Sequence, residues 1–128
     1  VSQSKFYDLA VKRYGATWRF SKITTLGIGT PQQILAPNPS RVYASFAMGV
    51  SGYRWNVGKD QNVVTNFFVH LGMNFGGLGG GTNERAWADY DRAVWGEFVI
   101  SEFWGVATDG GAGSQIDVIE IYLADRVL

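Results

Sequence analysis

The chain is predicted to be all-β, a single β-sandwich of about eight strands with jelly-roll-like connections and an N-terminal arm or short helix. Two observations predict this. Aromatic residues make up 15% of the 128 residues, five of them Trp, and they recur with Val, Ile and Thr in short runs. Those runs are separated by Gly, Asn, Asp and Ser at spacings near ten residues, as in sandwiches and barrels. A chain of this length buries a hydrophobic core without staples. It has no Cys, so disulfides, thiol nucleophiles and Cys-type metal sites are excluded.

The elements follow in order. Residues 1–16 form the expected arm. Within it Phe6, Leu9, Ala10 and Tyr14 fall near helical spacing behind Ser4, a candidate N-cap. From Thr17 the period changes to two, and residues 17–128 form the expected sandwich domain. Trp18, Phe20 and Ile23 mark the first strand, and Gln32 to Ala36 the second. Pro37-Asn38-Pro39 closes it, because the prolines remove backbone donors and Asn38 accepts turn geometry. Arg41 to Val50 reads as a strand buried on both faces, and Tyr53 to Val57 alternates cleanly. Val63 to Leu71 is the next strand, and the glycine-rich Gly72 to Gly81 is a loop. Glu84 to Asp91 alternates, Trp95 to Ser101 and Phe103 to Ala107 are further strands, and Ile116 to Leu123 closes the domain.

Charge is distributed unevenly. The chain is formally neutral, yet residues 1–22 carry five basic side chains against Asp8, a net of +4, and the remainder carries six basic against ten acidic, a net of −4. Overall neutrality argues against a nucleic-acid partner. No apolar run reaches the ~18 to 20 residues of a membrane span, and the first residues lack a secretory leader pattern, so neither a membrane partner nor a leader is expected. The basic segment interleaves Lys5, Lys12 and Arg13 with Phe6, Tyr7, Tyr14 and Trp18. These seven residues are the candidate partner interface, an arm that docks on an apolar and acidic surface. Packing of the same segment on its own domain is the competing reading.

The motifs for chemistry are unspecific. The loop GMNFGGLGGG matches neither the dinucleotide fingerprint nor a phosphate loop. Asp89 and Asp91 lack the further ligands of a calcium loop, and a single His70 in an apolar run reads as a sheet histidine. Glu97, Glu102 and Glu120 could pair as glycosidase carboxylates only if the fold brings two together. No catalytic residue, metal site or cofactor is therefore assigned. Trp18, Trp55, Trp87, Trp95 and Trp104 suit either a core and oligomer interface or a sugar-stacking platform. Two or three exposed coplanar rings on one face would favour the platform.

Residues 34–41, ILAPNPSR, are preceded by TPQQ and followed by a long β run. The segment resembles the apolar-Ala-x-Asn-x-x-Arg-strand opening of small β-sandwich proteins encoded among tailed-bacteriophage structural genes. The likeness continues loosely through His70-Leu71-Gly72, the glycine-rich turn, Phe103 to Ala107 and Ile116 to Ile121, covering roughly residues 30–123. Within it Pro37, Asn38, Pro39 and Arg41 read as a structural turn, with the Arg41 side chain able to bond back across it.

The resemblance implies a non-enzymatic virion protein, with a capsid decoration or cement protein favoured. Its partner would be the major capsid protein or another virion protein, and it would be a homo-oligomer, a trimer by preference, on the capsid surface. A carbohydrate-binding module on a fibre or tail is the alternative.

Overall fold

The computed structural model describes residues 16–50, 52–72 and 84–123. Nine strands lie among them: β1 (Thr17–Thr24), β2 (Gln32–Leu35), β3 (Arg41–Ala47), β4 (Arg54–Gly58), β5 (Val69–Gly72), β6 (Glu84–Arg85), β7 (Trp87–Asp91), β8 (Phe103–Asp109) and β9 (Gln115–Tyr122). Two single-turn helices, α1 (Arg92–Trp95) and α2 (Glu97–Ile100), connect β7 to β8.

The strands form two sheets, ordered β1-β9-β3-β7 and β2-β8-β4-β5-β6. The first half of the chain runs antiparallel to the second in four successive pairs: β1 with β9, β2 with β8, β3 with β7 and β4 with β5. Successive pairs alternate between the sheets, so the chain is a long ribbon rolled into a sandwich, which is the jelly roll. Only the two-residue β6 departs from antiparallel pairing, lying parallel to β5.

Alternation explains which side chains meet between the sheets. Ala44 and Phe46 from β3, Ile116 and Val118 from β9, and Ala88 and Tyr90 from β7 face Trp55 and Val57 of β4, Val69 and Leu71 of β5, and Phe103 and Ala107 of β8. Phe46, Trp55 and Phe103 are fully buried, and each contributes about 1.5 to 3 kcal/mol by leaving water. Trp55 also donates from Nε1 to Ser114 Oγ at 3.0 Å. Its ring lies against Gly105 on the neighbouring strand, where a Cβ would come within 3.0 Å of it.

Three expected strands are corrected. Trp95 to Ser101 is not a strand. Asp91 caps α1 by accepting from the Ala93 amide at 2.9 Å, and Gly96, at φ 60°, redirects the chain into α2. The strand expected from Val63 begins only at Val69. Before it, the Asn62 carbonyl accepts from the amides of Thr65 and Asn66 and folds a turn. The strand begun at Arg41 ends at Ala47 instead of Val50.

Candidate functional site

Six of the seven expected interface residues, Lys5, Phe6, Tyr7, Lys12, Arg13 and Tyr14, lie outside the described residues. So does most of the 1–16 arm, of which only Ala16 is described. Trp18, the seventh, lies in β1 with its side chain 62% exposed.

The register shows what surrounds Trp18. Lys22 bonds Asp117 at 2.8 Å, while Ile23, one position on, packs into the core; Trp18, Phe20 and Lys22 therefore share the outer face of the first sheet. Reading across the strands, Trp18 stands beside Ile121, then Tyr43, then Asp91. The next row holds Phe20, Ile119, Ser45 and Asp89, and the next Lys22, Asp117, Ala47 and Trp87. This face carries two strongly exposed aromatics on β1, Trp18 and Phe20 at 58%, and Trp87 at 61% on the opposite edge.

The middle of that face is apolar and closely packed. Val42, Ile121 and Leu123 are buried there as a second cluster, lined by Ala16, Tyr43 and Ile119. Ala16 and Leu123 are the first and last described residues of the chain. Three carboxylates, Asp89, Asp91 and Asp117, border the patch against one lysine, Lys22. Burial, reinforced by a hydrogen bond to Asp89, pushes the Tyr43 hydroxyl up to about 12. The surface is aromatic with an acidic margin, suited to a partner offering apolar and basic groups.

The Pro37-Asn38-Pro39 turn lies on a different side and serves the interior. The Asn38 amide donates to the Ile100 carbonyl at 2.8 Å, and its side chain accepts from the Ser40 amide at 3.0 Å. Arg41, 1% exposed, donates to the carbonyls of Ala36, Val99 and Ser101 and to Glu120 Oε2. Burial lowers its pKa despite the opposing charge of Glu120. Arg41 thereby fastens the β2–β3 connection, the end of α2 and β9 to one another.

The other candidates disperse. Glu120 is the partner of Arg41, and Glu102 accepts from Trp104 Nε1 at 2.9 Å and from Gln33, so these two carboxylates do not face each other. His70 is bonded to Asn56 on the neighbouring strand. Among the described residues no group of three or more His, Cys, Asp or Glu could hold a metal. No described helix is long and apolar enough to cross a membrane.

The tryptophans separate as well. Trp55 is core, while Trp18 and Trp87 share the outer face three strand spacings and two rows apart, about 20 Å. Trp95, 49% exposed, joins Phe68, Tyr90 and Phe98 in a tilted and edge-on cluster. That cluster borders an open cleft of about 640 Å³ between β5 and β7, whose rim includes Phe67, His70 and Arg85. Two exposed tryptophans, Trp18 and Trp87, share a face but stand too far apart to flank one sugar ring, and Trp95 lies in the cleft away from them.

No protein-family model matches this chain, and no curated protein matches it.

Proposed function

We propose that this chain is a non-enzymatic structural protein of a tailed-bacteriophage virion, a capsid decoration or cement protein that docks through the outer face of its β1-β9-β3-β7 sheet. The observation that carries the reading is the exposure of three aromatic side chains on that face, Trp18, Phe20 and Trp87, which flank a buried apolar cluster. Exposed apolar patches of this kind mark interaction surfaces. The jelly roll supports the reading, being a scaffold widely used in capsids, although it also serves lectins. The likeness of residues 34–41 to phage structural proteins adds the virion context.

In this reading the mechanism is interfacial. Trp18, Phe20 and Trp87 are the anchors, desolvated on docking, while Asp89, Asp91 and Asp117 form a polar rim that steers a basic patch of the shell into register. The basic residues Lys5, Lys12 and Arg13 extend the contact toward acidic surface elsewhere on the partner. Copies bound side by side reinforce one another through avidity. Adding purified protein to phage heads stripped of it tests the proposal. Saturable binding that is lost in the Trp18→Ala/Trp87→Ala variant supports it, and absence of binding refutes it.

A second reading rests on the cleft between β5 and β7. Trp95 offers a half-exposed ring beside Arg85 and His70, an arrangement suited to stacking a sugar ring and bonding its hydroxyls. Saturation-transfer NMR with short glucose oligosaccharides distinguishes it. Transfer that disappears in Trp95→Ala favours carbohydrate binding, and no transfer removes that reading.

A further inference from the structure

Among the described residues the two sheets have four edge strands, and three of them are poor templates for pairing. β6 has two residues. β2 has four, lies between Pro31 and Pro37 and slips register between Gln33 and Leu35. β7 has five and runs directly into α1. The fourth edge, β1, is eight residues long, contains no proline or glycine, and keeps an unbroken register with β9. Its first four residues, Thr17 to Phe20, are all exposed.

Proteins commonly guard such an edge with charged side chains. Here both cations of β1 are engaged across the sheet. Lys22 bonds Asp117 at 2.8 Å, and Arg19 lies 3.4 Å from Glu120 and bonds the Tyr122 hydroxyl at 3.3 Å. They are turned toward β9, and among the described residues no strand pairs with the other side of β1.

We propose that two copies of this chain pair through β1, antiparallel, about a two-fold axis at Phe20, joining the two β1-β9-β3-β7 sheets into one of eight strands. The side chains select this register. A two-fold axis that keeps the outer faces together must pass through a residue, since a slip of one position turns every side chain to the other face. An axis at Arg19 would oppose two guanidinium groups. An axis at Ser21 gives an overlap of the same length, Trp18 to Thr24, but leaves no aromatic pair. The axis at Phe20 uses Thr17 to Ile23, sets Phe20 against its own copy, and places Lys22 opposite the second copy's Trp18, whose indole can lie along the lysine's aliphatic stem while the ammonium keeps Asp117. Arg19 then faces Ser21. The contact is isologous and closes at two, and the doubled outer face carries both pairs of β1 aromatics. The inference goes beyond the virion reading, because it concerns the isolated chain and needs no particle.

The test uses the full chain. Light scattering behind size exclusion at about 100 µM, where a contact of about 10 µM or tighter is well populated, is expected to give twice the 14.1 kDa chain mass. The chain has no cysteine, so Phe20→Cys introduces a sole thiol at the axis, and mild oxidation is expected to link two copies. Trp18→Cys is the control. In this register its two Cα atoms stand about 14 Å apart, beyond disulfide reach, and no link forms. Phe20→Glu is expected to weaken the dimer at least about tenfold while leaving the melting curve of the exposed site near wild type. A monomeric mass at that concentration, failure of Phe20→Cys to link, or Trp18→Cys linking as fast as Phe20→Cys would each overturn the proposal.

Discussion

Arg41 Nη2 and Glu120 Oε2 lie 2.7 Å apart inside the sandwich, with side chains 1% and 2% exposed. Asn38 Nδ2 donates to the same carboxylate oxygen at 3.2 Å. The other oxygen, Oε1, has no hydrogen bond among the described residues and lies 3.4 Å from Arg19 Nη1, a weaker, partly exposed ion pair. Removing one partner of a buried pair strands the other, at about 3 to 5 kcal/mol. Arg41→Met also orphans three carbonyls, so it is expected to destabilise more than Glu120→Gln in urea unfolding. Arg41→Met within about 1 kcal/mol of wild type would show that the node is not structural.

Lys59 makes stability depend on alkaline pH. Its ammonium donates to the Phe98 carbonyl at 2.6 Å and lies 3.4 Å from the Phe103 ring centroid. Burial, helped by the charge of Arg41, lowers its pKa from 10.5 to about 8. Between those values the unfolded chain holds more protons than the folded one, so stability rises with pH above about 8. Tyr43 and Tyr90, raised from 10 to about 12 chiefly by burial, reverse the sign above pH 10, where the folded chain retains protons the unfolded one loses. The rise is confined to pH 8 to 10 and kept small by partial solvent exposure and by the ring faces. Lys59→Met should flatten it in denaturation curves taken across that range; an unchanged slope would remove Lys59 as its source.

Gly105 and Trp55 are coupled by close approach. A Cβ on Gly105 meets the indole carbons Cε3 and Cζ3 at 3.0 and 3.1 Å and Ile34 Cγ2 at 3.3 Å. Gly105→Ala is expected to cost about 1 to 3 kcal/mol. The added cost should shrink when Trp55→Phe frees space, giving a non-additive double-mutant cycle in thermal or urea melts. Strict additivity would mean the backbone, and not the indole, resists the change.

Deleting residues 1–15, while keeping Ala16 in its cluster, is expected to leave the sandwich folded and to weaken attachment to the partner. Circular dichroism reads the first and particle binding the second. Full occupancy by the truncated chain would remove Lys5, Lys12 and Arg13 from the contact.

Legibility in the sequence followed periodicity. β4 and β9 show their alternation plainly, and Thr17 marked the change of period that opens β1. The segment WGEFVI has an apolar run but no period long enough to separate a strand from helical turns. The signal that it turns lies in Asp91, two residues ahead of the amide it caps, and in Gly96 with its positive φ. Val63 to Asn66 misled in the same way, since local bonds to the Asn62 carbonyl fold it into a turn, and the chain first bonds across to β4 at Phe68. Arg41 was readable as a side chain that bonds back across its turn. Its partner Glu120, 79 residues away, was not, because pairing across a rolled ribbon depends on global register. The outer face containing Trp18 became visible only once β9 and β3 were aligned beside β1.

The most direct test of the docking account is occupancy on stripped phage heads, measured for the wild type beside Trp18→Ala/Trp87→Ala. Both substitutions fall at exposed sites and are expected to leave fold stability within about 0.5 kcal/mol each. The account expects saturable wild-type binding and at least about a tenfold loss of affinity in the variant. Equal occupancy by the two proteins, or no binding by either, would contradict it.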